Sequence, residues 1–84
     1  MSAKDMFEKL GYKQEIWCFE DENKIDEIIY YSDSKFGSNV TFIMNNKCFK
    51  IHRKKETKPG WCDMPMLQAI NKQIEELGWN KWTK

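Results

Sequence analysis

Glycine, proline and histidine are scarce in this 84-residue chain, with four, two and one copies respectively. So few glycines leave no phosphate-cradling Gly-rich loop and no dinucleotide fingerprint. The three cysteines, Cys18, Cys48 and Cys62, are odd in number and fit no disulfide framework, so they are expected as free thiols in a reducing compartment. No apolar run approaches the roughly 18 residues of a membrane span, and Met1 to Leu10 lacks the apolar centre of a signal peptide. A cytoplasmic protein with no membrane attachment is therefore expected. Cys48 and His52 stand four apart, about 13 Å along a strand, too far to chelate one ion. With no CxxC or HxxxH knuckle, neither a metal nor any other cofactor is expected.

What the chain does have is apolar bulk and charge. Hydrophobic residues make up 40% and charged residues 32%, as in a small folded globule, and four Trp supply core volume. One domain spanning 1-84 is the expectation. The net charge of +1 conceals two blocks of opposite sign. Residues 1 to 34 carry four Lys against nine acids; from Lys35 to Lys58 there are seven basic residues and one acid. Such blocks steer partners if the fold keeps them apart.

Ser2 followed by Ala3, Met6, Phe7 and Leu10 predicts a short helix, with Asp5 placed for a capping box and Gly11 as its stop. Tyr12–Phe19, Ile25–Ser32, Val40–Met44 and Lys47–Arg53 read as strands, rich in β-branched and aromatic residues and separated by turn-forming segments. Asn45-Asn46 suggests a two-residue type I′ hairpin turn. Neither face of that hairpin is cleanly apolar, which leaves its inward side open. A second helix follows, with Leu67, Ile70, Ile74 and Leu77 as its stripe, Asp63 as N-cap, Pro65 in the first turn and Gly78 as the stop. Trp79 is placed to fold back on the last turn, and 79-84 reads as a partly frayed tail. The result is an α+β fold: a helix, a four-stranded antiparallel meander, and a helix, both helices on one face of the sheet. Met6, Phe7, Leu10, Ile16, Ile28, Phe42, Leu67, Ile70, Ile74 and Leu77 are the expected core.

Catalysis has no foothold in this pattern. A Cys-His pair would need Cys18 or Cys62 carried to His52 and held there by a third group; beside Trp17, Phe19 and Trp61 the two thiols read instead as small apolar filler. No enzyme is expected. Two binding surfaces remain. Lys47, Lys50, Arg53, Lys54, Lys55 and Lys58, with Phe49, His52 and Trp61, combine cations for phosphate with rings for base stacking, as a nucleic-acid interface requires. Opposite in sign, Glu20, Asp21, Glu22, Asp26 and Glu27 lie beside Trp17 and Phe19. Such an acidic ridge with an aromatic anchor suits the cationic groove of a nucleic-acid-handling protein. For either cluster a solvated turn or strand end is the commoner explanation.

Three stretches carry a family likeness. Ser2-Ala3-Lys4-Asp5-Met6-Phe7-Glu8-Lys9-Leu10-Gly11-Tyr12 resembles the opening, and Leu67-Gln68-Ala69-Ile70-Asn71-Lys72-Gln73-Ile74-Glu75-Glu76-Leu77-Gly78-Trp79 the ending, of small accessory proteins from phages and prophages of Gram-positive bacteria. Ile28-Ile29-Tyr30-Tyr31 and Val40-Thr41-Phe42-Ile43 are similar in texture to their central strands. The likeness covers about half the chain and brings no catalytic residue with it. Extra residues around Trp17 to Asn23 and the basic stretch Lys54 to Lys58 depart from that pattern. In size and lack of an active site the chain also resembles anti-CRISPR proteins. The resemblance implies a protein that binds and inhibits a host or defence protein, with a small nucleic-acid-binding or regulatory phage protein as the alternative.

Overall fold

A computed structural model describes residues 1–33, 38–53 and 62–79. Its elements run α1 (Ala3–Lys9), β1 (Lys13–Trp17), β2 (Glu27–Tyr31), β3 (Ser38–Ile43), β4 (Cys48–Arg53) and α2 (Met64–Leu77). The four strands form one antiparallel sheet in the order β1-β2-β3-β4, the meander expected from the sequence.

Both helices begin and end where local chemistry places the boundary. The Asp5 amide donates to Oγ of Ser2 (3.1 Å) and the Ser2 amide to Oδ2 of Asp5 (3.4 Å), closing the capping box. At the start of α2 the Met66 amide donates to Oδ1 of Asp63 at 2.9 Å. Gly78 ends that helix at φ 75°, a left-handed backbone that a Cβ would strain. The Trp79 amide then turns back to the Ile74 carbonyl at 3.1 Å, and its ring lies 6.2 Å from that of Phe42. Trp79 is thus anchored, whereas the remainder of the predicted tail, Trp82 included, lies outside the described residues.

The core forms where helices meet the two central strands. Phe7, Ile28, Tyr30, Val40, Phe42, Met66, Ala69 and Ile70 make one buried cluster. Phe7 and Tyr30 stack with ring centroids 3.8 Å apart, and Phe42 meets both edge-on. Tyr30 also carries a buried hydroxyl, which donates to Oε1 of Gln73 on α2 and accepts from Nε2 of Gln14 on β1 at 3.0 Å. Near the helix ends the Ala3 amide donates to Oε2 of Glu76 at 2.8 Å, setting a carboxylate at the positive end of α1.

Part of the expected core is displaced. Leu10 is the C-cap of α1, beyond its last turn, and is exposed. Ile16 is 48% exposed because β1 is an edge strand. Leu67 is 37% exposed: the buried face of α2 runs through Met66, Ala69, Ile70 and Gln73, while Ile74 and Leu77 of the expected stripe pack partly buried against the core. Tyr30 and Val40, both fully buried, were not among the expected core residues.

The β3–β4 connection corrects a second expectation. Met44–Lys47 form a four-residue turn, and the positive φ of 51° falls on Lys47 rather than on Asn45 or Asn46. Register is unaffected, with Ile43 opposite Cys48 and Phe42 opposite Phe49. Two-residue and four-residue loops centred on Asn45-Asn46 pair the same residues, because one nests inside the other. This register also settles the hairpin's inward side, since Phe49 and Ile51 stand opposite buried Phe42 and Val40.

Two outcomes test this packing. Ile70→Ala should cost about 2–5 kcal/mol in denaturant unfolding, whereas Leu67→Ala should cost under about 1 kcal/mol. Equal costs would contradict the placement of the helix face. Burial raises the Tyr30 pKa above the ordinary 10.0, partly offset by the Gln14 hydrogen bond. Ionisation therefore favours the unfolded chain, and the associated stability is whole below about pH 10 and lost as pH climbs from there through the folded value. Melting temperature should fall as pH rises above about 10. Tyr30→Phe should flatten part of that fall, while costing about 1–3 kcal/mol at neutral pH by leaving Gln14 and Gln73 unpaired. Tyr12, shifted in the same direction by burial, retains the remainder.

Candidate functional site

The acidic residues singled out in the sequence occupy one end of the sheet. Trp17, Glu27, Ile43 and Cys48 form a row across all four strands at that end, by the pairings Trp17 with Glu27, Glu27 with Ile43, and Ile43 with Cys48. Beyond Trp17 the chain crosses to β2 through Cys18–Asp26, which brings Phe19, Glu20, Asp21 and Glu22 to the same end.

Asp26 holds this connection in shape. Its amide donates to the Trp17 carbonyl (2.9 Å), its Oδ2 accepts from the Phe19 amide (2.7 Å), and its carbonyl accepts from the Met44 amide (3.0 Å). One residue thus ties the end of β1, the aromatic segment and the β3–β4 turn together. Asp21 does the same on a smaller scale, its Oδ1 accepting from the Asn23 amide at 2.9 Å and its carbonyl from the Lys24 amide at 3.0 Å. Short acceptor side chains of this kind stabilise turns by satisfying backbone donors locally.

These ties enclose an open groove of ≈ 640 Å³ between the β1–β2 connection and the β3–β4 turn. Phe19, Ile43 and Met44 supply its apolar lining, with Asn45 beside them. Glu20, Asp21, Asp26 and Glu27 supply four carboxylates, against the single ammonium of Lys24. Among the described residues, no hydrogen bond or ion pair engages the carboxylates of Glu20, Glu22 or Glu27. Trp17 is 44% and Phe19 61% exposed, with ring centroids 6.2 Å apart. Of the seven acidic-end residues read from the sequence, all but Trp17 and Glu22 line the groove. Ile43, Met44 and Asn45 were not among them: only strand register brings this wall opposite the acids.

The basic set is distributed differently. Lys47 lies in the turn at the acidic end and Lys50 midway along β4, both exposed. Arg53 ends β4 at the opposite end of the sheet, and Lys54, Lys55 and Lys58 lie outside the described residues. The described cations of this set are therefore strung along β4 and its leading turn, with Lys47 at the acidic end and Arg53 at the other.

Cys18 and Cys62, expected as apolar filler, are exposed, as is Cys48. Cys18 follows an edge strand into a connection and Cys62 precedes the N-cap of α2, so neither is carried into the core. Partial desolvation and neighbouring Asp63 raise the Cys62 thiol pKa, opposite to the direction of an activated nucleophile. Among the described residues no three His, Cys, Asp or Glu side chains gather to hold a metal ion, and no helix is long and apolar enough to cross a membrane. Set against protein-family models, curated proteins and solved structures, the chain matches none.

The brace makes a specific prediction. Asp26→Ala should release the Phe19 amide to hydrogen exchange and cost about 1–2 kcal/mol, the scale of a lost hydrogen bond to a charged group. Unchanged protection of that amide would show that Asp26 does not hold the aromatic segment.

Proposed function

We propose that this protein is a non-enzymatic accessory protein of a phage or other mobile element, which binds and inhibits a host or defence protein in the bacterial cytoplasm, in the manner of anti-CRISPR proteins. The observation that carries this reading is a concentration of carboxylates beside two exposed aromatic rings at one end of the sheet. Charge of one sign speeds encounter with a surface of the other, and desolvated aromatic side chains supply much of the energy once contact is made. Proteins that handle nucleic acid carry cationic surfaces of that kind. A standard interface takes about 800 Å² from each partner. An interface of that size would take about an eighth of the 6456 Å² that the molecule exposes.

Affinity capture from the bacterial host, followed by binding measurements on the purified partner, tests the proposal. Stoichiometric binding is expected, weakened at least about 100-fold when Glu20, Asp21, Glu22 and Glu27 are changed together to Lys. Trp17→Ala with Phe19→Ala should weaken it by more than about tenfold, as loss of an interface anchor does. Asp26 is kept in both variants because it holds the segment in place. Failure to recover any protein partner, or a partner indifferent to both variants, refutes the reading. Retention of DNA or RNA at low salt, lost on Lys47→Glu with Lys50→Glu, would instead assign binding to the basic strand.

A further inference from the structure

We infer that the groove between the β1–β2 connection and the β3–β4 turn receives a projecting basic segment of the partner, with an arginine or lysine side chain inserted between apolar walls and carboxylates. The inference rests on the protein-binding reading and reverses the local shape it would suggest, because at this point the acidic protein is the concave partner.

Dimensions and chemistry together select the occupant. A groove of ≈ 640 Å³ falls within the range of pockets that take one or two residues or a small ligand. Phe19, Ile43 and Met44 offer apolar contact and Glu20, Asp21 and Glu27 offer negative charge in one lining. Arginine and lysine have the matching two-part character: an aliphatic stem that packs on apolar surface and a cationic head that remains hydrated or paired. An acidic or purely apolar segment would leave one of the two kinds of lining unmatched. Ion pairs at an open rim contribute little alone, so specificity comes from stem and head being satisfied together.

The test uses the full-length protein and a hexapeptide carrying two arginines flanked by leucine and alanine, with a second peptide in which glutamine replaces both arginines. Titration followed by amide chemical shifts should show saturable changes centred on Phe19, Ile43 and Met44 with the arginine peptide and none with the glutamine peptide. Glu27→Gln with Asp21→Asn should weaken binding about tenfold or more, and so should Asn45→Lys, which sets an ammonium at an exposed position of the groove. Glu15→Gln, an exposed acid on β1 outside the groove, should leave it unchanged. Shifts spread over the surface, or equal loss with Glu15→Gln, would overturn the inference by showing attraction to net charge alone. Groove shifts that appear on concentrating the protein without peptide would also overturn it, by assigning the groove to a second copy of this chain. A captured partner that depends on Trp17 and Phe19 yet ignores Asn45→Lys would refute the groove while leaving the broader function standing. Absence of any partner refutes the function itself.

Discussion

The buried Tyr30 side chain is the constraint on which the rest of the structure depends. Its ring stacks on Phe7 of α1 and meets Phe42 of β3 edge-on, while its hydroxyl bonds Gln14 of β1 and Gln73 of α2. One side chain on β2 thereby touches every other element except β4. A tyrosine suits the position because the ring supplies apolar area while the hydroxyl compels two glutamines to converge on it. That convergence fixes the rotation of α2 about its axis: Gln73 must face inward, so Met66 and Ala69 do too, and Leu67 turns toward solvent.

Much of the backbone plan was legible in the sequence, and the reasons are local. Ser2 with Asp5, Asp63 with Pro65, and Gly78 act within a few residues of themselves, and each did what its chemistry predicts. The misplaced residues depend on contacts distant along the chain. Gln73 is polar and reads as solvent-facing until Tyr30, 43 positions earlier in the sequence, is set beside its side chain. Ile16 reads as core because it alternates correctly, but alternation does not reveal that its strand lies at the sheet's edge. At the Asn45-Asn46 turn the register survived a wrong backbone conformation, because pairing depends on where the loop is centred.

The acidic end divides in the same way. Its carboxylates and aromatic residues were visible as composition, since they cluster within eleven positions from Trp17 to Glu27. Two of those acids turned out to serve the backbone: Asp26 braces Phe19 and Asp21 caps a tight turn. The opposite wall comes from Ile43–Asn45, a segment with no charge and no motif, and it exists as a wall because Met44 bonds the Asp26 carbonyl. A groove is a relation between segments, and residue types alone do not encode it.

Among the described residues, the ion pairs lie away from the groove. Lys13 pairs with Asp33 at 2.7 Å, Lys72 lies 3.7 Å from Glu75, and Glu76 accepts from the first amide of α1. The groove's lining holds four carboxylates and one ammonium, that of Lys24. Like charges held together repel, and a chain of this length has a stability of only about 4–12 kcal/mol from which to offset such costs. Proteins retain locally unfavourable arrangements where function requires them, and stabilising substitutions at such places tend to reduce function. Within the groove the roles divide: Asp21 and Asp26 accept backbone hydrogen bonds and shape the connection, while Glu20 and Glu27 are the acids that the proposed function would use.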